Sequence, residues 1–145
     1  MITLSQAKWD RRYLSLAELV SGWSKDPSTK TGAVLVGMNN RIVSVGYNGF
    51  PPGIADDARL NDRETKYKTI IHCEVNAVLS AGRPVRGATL YTVPFLSCPP
   101  CASIMIQAGI VRVVSFVNYN ERWAADLAVA ESLLREAGVE VSTYS

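Results

Sequence analysis

The feature that most constrains the fold is an alternation of strand-like and helical stretches through the second half of the chain. Thr89 to Val93 reads as a strand, about Pro99 to Ala108 as a helix, and Val111 to Phe116 as a second strand. Trp123, Leu127, Ala130, Leu134 and Ala137 then recur at helical spacing up to a stop at Gly138, and Val139 to Thr143 forms a last short strand. Two consecutive strand-helix-strand units place their strands parallel, joined by right-handed crossovers, because a parallel pair cannot be closed by a hairpin.

The first half adds an antiparallel pair. Thr3, with Gln6 three residues on, has the form of a capping box and opens a helix carrying Ala7, Tyr13, Leu14, Ala17 and Val20. Helix one ends near Gly22. Ala33 to Val36 and Arg41 to Tyr47 are rich in β-branched residues and flank Gly37-Met38-Asn39-Asn40, a hairpin connection. From Asn48 to Thr69 the chain is mostly polar, with Gly49, Pro51, Pro52 and Gly53 near its start, and reads as a long loop without regular structure. Glu74 to Ala81 is a helix stopped at Gly82. The resulting order, α-β-β-α-β-α-β-α-β, predicts a layered α/β domain on a mixed five-stranded sheet flanked by helices. At 145 residues it reads as one domain, residues 1–145.

His72 is the only histidine, it stands two residues before Glu74, and a Cys98-Pro99-Pro100-Cys101 motif follows. Alone, each element is ambiguous. Together, each at the start of an expected helix, they match the zinc nucleobase deaminase pattern. Catalytic zinc takes three protein ligands and leaves a fourth position for water; His72, Cys98 and Cys101 supply the three. Binding to zinc lowers the pKa of water from about 15.7 to about 7. Glu74 is left to carry protons. On a regular helix, residues two apart point about 200° away from each other, so the His72–Glu74 pair works best at a helix start. Cys73 between them reads as a buried apolar residue. The competing readings are a redox CxxC, which leaves His72 and Glu74 unexplained, and a closed structural zinc, which needs a fourth ligand.

The chain resembles the cytidine/deoxycytidylate deaminase superfamily, and within it the deoxycytidylate (dCMP) deaminases. The resemblance runs from about Trp9 to Val139. It rests on His72-Cys73-Glu74-Val75-Asn76-Ala77, the CxxC, Ser24-Lys25-Asp26-Pro27-Ser28-Thr29, Gly32-Ala33-Val34, Gly46-Tyr47-Asn48-Gly49-Phe50-Pro51 and Ile106-Gln107-Ala108-Gly109-Ile110. It implies a three-layer cytidine-deaminase-like fold and the hydrolysis of dCMP to dUMP and ammonia, feeding thymidylate synthesis. One catalytic Zn²⁺ is implied. Asn48 would contact the deoxyribose and Tyr119 would line the base or sugar pocket, while Lys25, Lys30 or Arg122 would meet the phosphate. It further implies a homo-oligomer, often a hexamer, activated by dCTP and inhibited by dTTP, with Mg²⁺ accompanying the triphosphate effector. The effector loop would be Gly46 to Gly53, with Tyr47, Asn48, Gly49 and Gly53 as contacts. Ser97 stands where the family has proline, and Cys73 where it has alanine.

Alternative substrates are 5-substituted dCMP, dCTP or cytidine. A reading of a different class is a nucleic-acid-directed deaminase or binding module. A net charge of +2, from 15 basic and 13 acidic side chains, gives no footprint for a polymer or an anionic membrane. No charged leader precedes an apolar stretch at the amino terminus and no segment approaches bilayer-spanning length, so a cytoplasmic protein is expected.

Overall fold

The computed structural model describes residues 2–145. Helix α1 (Leu4–Ser21) starts where the Thr3 hydroxyl accepts from the Gln6 amide at 3.0 Å. The Gln6 side chain does not close the box; it donates instead to Asp10, one turn on. Strands β1 (Gly32–Val36) and β2 (Ile42–Tyr47) form the antiparallel hairpin. Helix α2 (Arg63–Thr69) and helix α3 (Cys73–Ser80) follow, then β3 (Thr89–Val93), α4 (Pro99–Ala108), β4 (Arg112–Phe116), α5 (Glu121–Glu136) and β5 (Glu140–Tyr144).

The strands make one sheet in the order β2-β1-β3-β4-β5. β1 pairs antiparallel with β2 and β3, and β3-β4-β5 run parallel. Every residue of β1 is buried because helices cover both faces of the sheet. Ala33 and Leu35 point to the face packed by Cys73 and Ala77 of α3, Met105 of α4 and Leu127, Ala130 and Leu134 of α5. Val34 and Val36, one residue out of phase, meet Tyr13, Leu14 and Ala17 of α1. The three-layer mixed sheet expected from the sequence is therefore present, with α1 alone on one side.

Two glycines set the layer spacing. A Cβ on Gly46 would collide with the backbone of Cys73 and Ala77, so β2 lies directly against α3; Gly32 meets the α1 backbone at Ala17 and Ser21 in the same way. On the α1 side, Asp10 is fully buried and accepts both Arg112 guanidinium bonds, at 2.8 and 2.7 Å, together with the hydroxyls of Tyr91 and Tyr144. This cluster ties α1 to the three parallel strands.

A second expectation is corrected. The polar stretch before His72 is not without regular structure: a 3₁₀ turn at Ala58–Asn61 leads into α2. α2 is tethered through Lys66, buried against Asp26 with its ammonium 3.0 Å from the carboxylate. Among the described residues, no helix is long and apolar enough to cross a membrane.

Candidate active site

The site is built where α3 and α4 begin. His72 is the N-cap of α3 and Cys98 the N-cap of α4, both with extended backbone, and Pro99 takes the first helical position. Neither cap uses its side chain to bond its own helix, which frees the ring and the sulfur to face each other. Glu74 and Cys101, each inside the first turn, complete the cluster.

The ligand atoms of His72, Cys98 and Cys101 all lie within 4.8 Å of one another. The His72 Nδ1 is 3.1 Å from the Cys101 Sγ and 3.4 Å from the Cys98 Sγ. A tetrahedral Zn²⁺, with bonds of about 2.0 Å to nitrogen and 2.3 Å to sulfur, would set its N···S edges at about 3.5 Å. The donor set fits that ion. Hydrogen bonding from Cys101, then from His72, pulls the Cys98 thiol down to about 4 against the effect of burial, while the Cys101 thiol is pushed up by its bond to Cys98. The two sulfurs are coupled, with the Cys98 thiol the one favoured to lose its proton. The hydrogen bond with Cys98 also raises His72.

Glu74 is 6% exposed. Its Oε1 accepts from the Thr92 hydroxyl at 2.8 Å, and Thr92 on β3 is itself fully buried. Cys73 is buried in the core, its Sγ 3.6 Å from the same hydroxyl, and its thiol is pushed well up by burial. Nothing in the sequence marked Thr92, because a threonine in a β-strand is ordinary.

A cavity of about 640 Å³ opens over the cluster, lined by His72, Glu74 and Cys98 on its floor. Asn48 is in its wall and buried; its amide nitrogen donates to Asp26 and to the Thr29 carbonyl, and its oxygen accepts from the Thr31 amide. Phe95, Leu96, Trp123 and Leu127 form an apolar side. α2 turns Arg63, Lys66 and Tyr67 to the cavity, positions i, i+3 and i+4 of one helical face, and its extended C-cap Ile70 joins them. That face mixes two cations, an aromatic and an aliphatic, so it left no hydrophobic period to find in the sequence.

Of the phosphate candidates, Arg122 lines the cavity, its guanidinium 4.7 Å from the Trp123 ring. Lys25 pairs with Asp56 on the surface, and Lys30 donates to the carbonyls of Ser24 and Asp26. Tyr119 is 81% exposed and lies outside the cavity lining. At the end of β2, Tyr47 meets Trp23 edge-on, and in the loop that follows Gly49 bridges Ile71 and Gly53 takes a positive φ of 90°.

Residues 7–117, which carry the whole cluster, match the cytidine and deoxycytidylate deaminase zinc-binding region. The chain belongs to the cytidine and deoxycytidylate deaminase family. Among relatives of this deaminase, a protein of Aliivibrio fischeri described as an uncharacterized deaminase in the luxG 3′ region is 43% identical over 139 residues, spanning 94% of this chain and 93% of its own. The deoxycytidylate deaminase of Mus musculus is 35% identical over 145 residues, covering 95% of this chain and 80% of the mouse protein. The crystal structure of the dCMP deaminase of cyanophage S-TIM5, in complex with dCMP and dUMP, superposes with a TM-score of 0.78 at 27% identity, over 94% of this chain and 97% of that one.

Proposed function

We propose that the chain hydrolyses dCMP to dUMP and ammonia, supplying dUMP for thymidylate synthesis. The observation that carries this is a buried acid, Glu74, at the floor of a nucleotide-sized cavity beside a His/Cys/Cys cluster, with Arg63 and Arg122 on its walls. Neither arginine has a carboxylate partner among the described residues. The mouse and cyanophage relatives, both dCMP deaminases by description, support the same substrate.

His72, Cys98 and Cys101 would hold Zn²⁺, which when bound lowers the pKa of a water molecule toward neutrality. Glu74 would take one proton from the attacking water and pass it to the ring nitrogen next to the amino group as the oxygen adds to the ring carbon, then move the second proton from the added hydroxyl to the departing amine, leaving a carbonyl and ammonia. The Thr92 hydroxyl keeps the carboxylate aimed while it does so. Phe95 and Trp123, whose ring centroids lie 5.9 Å apart, offer an apolar wall to the base. Asn48 meets the sugar, and Arg63 and Arg122 meet the phosphate as fixed cations.

The decisive experiment follows ammonia release from dCMP, 5-substituted dCMP, dCTP, deoxycytidine and cytidine. dCMP turns over fastest, and equal turnover of cytidine and dCMP would sink the monophosphate reading. Glu74→Gln abolishes turnover and retains zinc.

The finer reading rests on length and cysteine usage for the domain and compartment, and on resemblance for assembly and regulation. The 145 residues act as one catalytic domain in the cytoplasm, where three free cysteines stay reduced. Copies assemble as a hexamer, with dCTP and dTTP, accompanied by Mg²⁺, acting at the loop of Tyr47, Asn48, Gly49 and Gly53. Tyr119 would join the mouth of the pocket by moving toward bound nucleotide. Size-exclusion chromatography with light scattering, and activity titrations with each triphosphate, test these points.

A further inference from the structure

Cys73 is fully buried, lies outside the His/Cys/Cys cluster and stands where the family has alanine, so the reaction as derived above gives its sulfur nothing to do. Yet it touches the hydroxyl that touches the proton carrier. Its Sγ is 3.6 Å from Thr92 Oγ1, and the same hydroxyl donates to Glu74 Oε1 at 2.8 Å. Cys73 and Thr92 are closed to solvent and Glu74 nearly so, which leaves these groups only one another and the cavity as partners.

The direction of the bonds follows from counting donors and acceptors. An ionised carboxylate only accepts, so the single hydrogen of the Thr92 hydroxyl points at Glu74. The threonine oxygen keeps its lone pairs, and among the described residues no nitrogen or oxygen donor reaches them. The Cys73 S–H is the donor that remains, and it sets the order S–H to O–H to carboxylate. A donor on the threonine oxygen polarises its O–H and strengthens the bond that O–H makes. On the far side of the carboxyl group, Glu74 Oε2 has no protein partner among the described residues and is not sealed off from the cavity that Glu74 lines. With Oε1 already occupied by Thr92, the proton that Glu74 carries goes on Oε2, the oxygen able to meet the substrate.

We propose that Cys73 is a positioning residue that acts through Thr92: its thiol donates to the Thr92 oxygen, holds the hydroxyl hydrogen on Glu74 Oε1, and so keeps the carried proton on Oε2. The assignment deepens the reading of Glu74 as the proton carrier and rests on it. The Thr31 hydroxyl also approaches the sulfur and is the competing acceptor.

Two measurements on the zinc-loaded enzyme test this. With Cys98 and Cys101 bound to metal, Cys73 carries the one S–H among the chain's three cysteines and gives a single S–H stretching band in the infrared, assigned by its loss in Cys73→Ala. Thr92→Val moves that band to higher frequency because the acceptor is gone, and Thr31→Val leaves it in place. The second measurement is a kinetic cycle on dCMP. Cys73→Ala lowers kcat about two- to fivefold, as loss of a weak hydrogen bond implies, with KM and zinc content unchanged. Cys73→Ser is close to alanine in size but restores a donor, and recovers the wild-type kcat. In a Thr92→Val background the alanine and serine variants turn over equally, since the hydroxyl they act through is absent. A band that ignores Thr92→Val, or follows Thr31→Val instead, overturns the proposal. So do equal losses in Cys73→Ala and Cys73→Ser, or a loss undiminished in the Thr92→Val background, either of which marks a residue that only fills the core. Wild-type turnover in Glu74→Gln would instead overturn the reading of Glu74 as the proton carrier, and the band would still decide whether Cys73 donates to Thr92.

Discussion

Replacing Thr92 by valine is the sharpest probe of how Glu74 is aimed. Valine has the shape of threonine without the hydroxyl, so the buried site on β3 stays filled while the 2.8 Å bond to Glu74 Oε1 and the weak 3.6 Å contact with the Cys73 thiol are deleted. A hydrogen bond to a charged acceptor contributes about 1.5–3 kcal/mol, which corresponds to a factor of about 10 to 150. Glu74 keeps its cavity-facing side, so it is not stranded, and the melting temperature moves little. The expected result is a fall in kcat of about 10- to 150-fold with KM nearly unchanged and zinc retained, because the lost contact orients a proton carrier and touches neither metal nor substrate. Thr92→Ser restores most of the rate. Turnover is read from the ultraviolet change as cytosine becomes uracil, and zinc by a colorimetric chelator after denaturation. Unchanged kcat in Thr92→Val, or zinc lost in step with rate, would refute the assignment.

Three further outcomes follow from other parts of the molecule. Burial alone would raise the Asp10 carboxyl, but hydrogen bonds from Arg112, Tyr144, Tyr91 and Gln6 outweigh it and hold the group at about 2, against 3.8 in the unfolded chain. The folded pKa is depressed, so the stabilisation, roughly 2 kcal/mol, is complete above about pH 5 and disappears as pH falls through about 2. Denaturant titrations across that window should show the slope in the wild type and not in Asp10→Asn, which is also destabilised at neutral pH by up to about 3–5 kcal/mol because Arg112 loses its buried carboxylate and keeps only the more exposed Glu140 and the Ser142 hydroxyl. In chelator-treated protein at pH 6, Cys98 alkylates quickly and Cys101 and Cys73 slowly, because only Cys98 is held low, at about 4; mass mapping checks the order, and restoring zinc protects Cys98. Gly46→Ala forces β2 away from α3, costs about 1–3 kcal/mol in thermal or chemical unfolding, and impairs zinc retention because α3 carries His72 at its start.

What the sequence disclosed, and what it withheld, follows from the range of the interactions involved. The metal cluster was legible because its ligands come in short fixed spacings at helix starts, which local chain geometry dictates. The parallel half of the sheet was legible because each strand and helix carries its own hydrophobic period. α2 was not, since its helix is held by Lys66 reaching Asp26 forty positions earlier, a contact that leaves no local pattern. The Asp10–Arg112 bond joins residues separated by 102 positions, and for the same reason neither residue stood out. Thr92 and Arg63 have roles set by what faces them across space. Asn48 came from family resemblance, but its restriction to accepting hydrogen bonds emerged only from its three protein partners.

The placement of α2 has a consequence for how such an enzyme could diversify. His72, Cys98, Cys101 and Glu74 are fixed by α3 and α4 against the sheet, whereas Arg63, Lys66 and Tyr67 ride on a separate seven-residue helix. Changes on α2 can therefore reshape one wall of the cavity with the metal-ligand cluster left in place. The cavity wall and the metal-ligand cluster thus belong to different pieces of the chain.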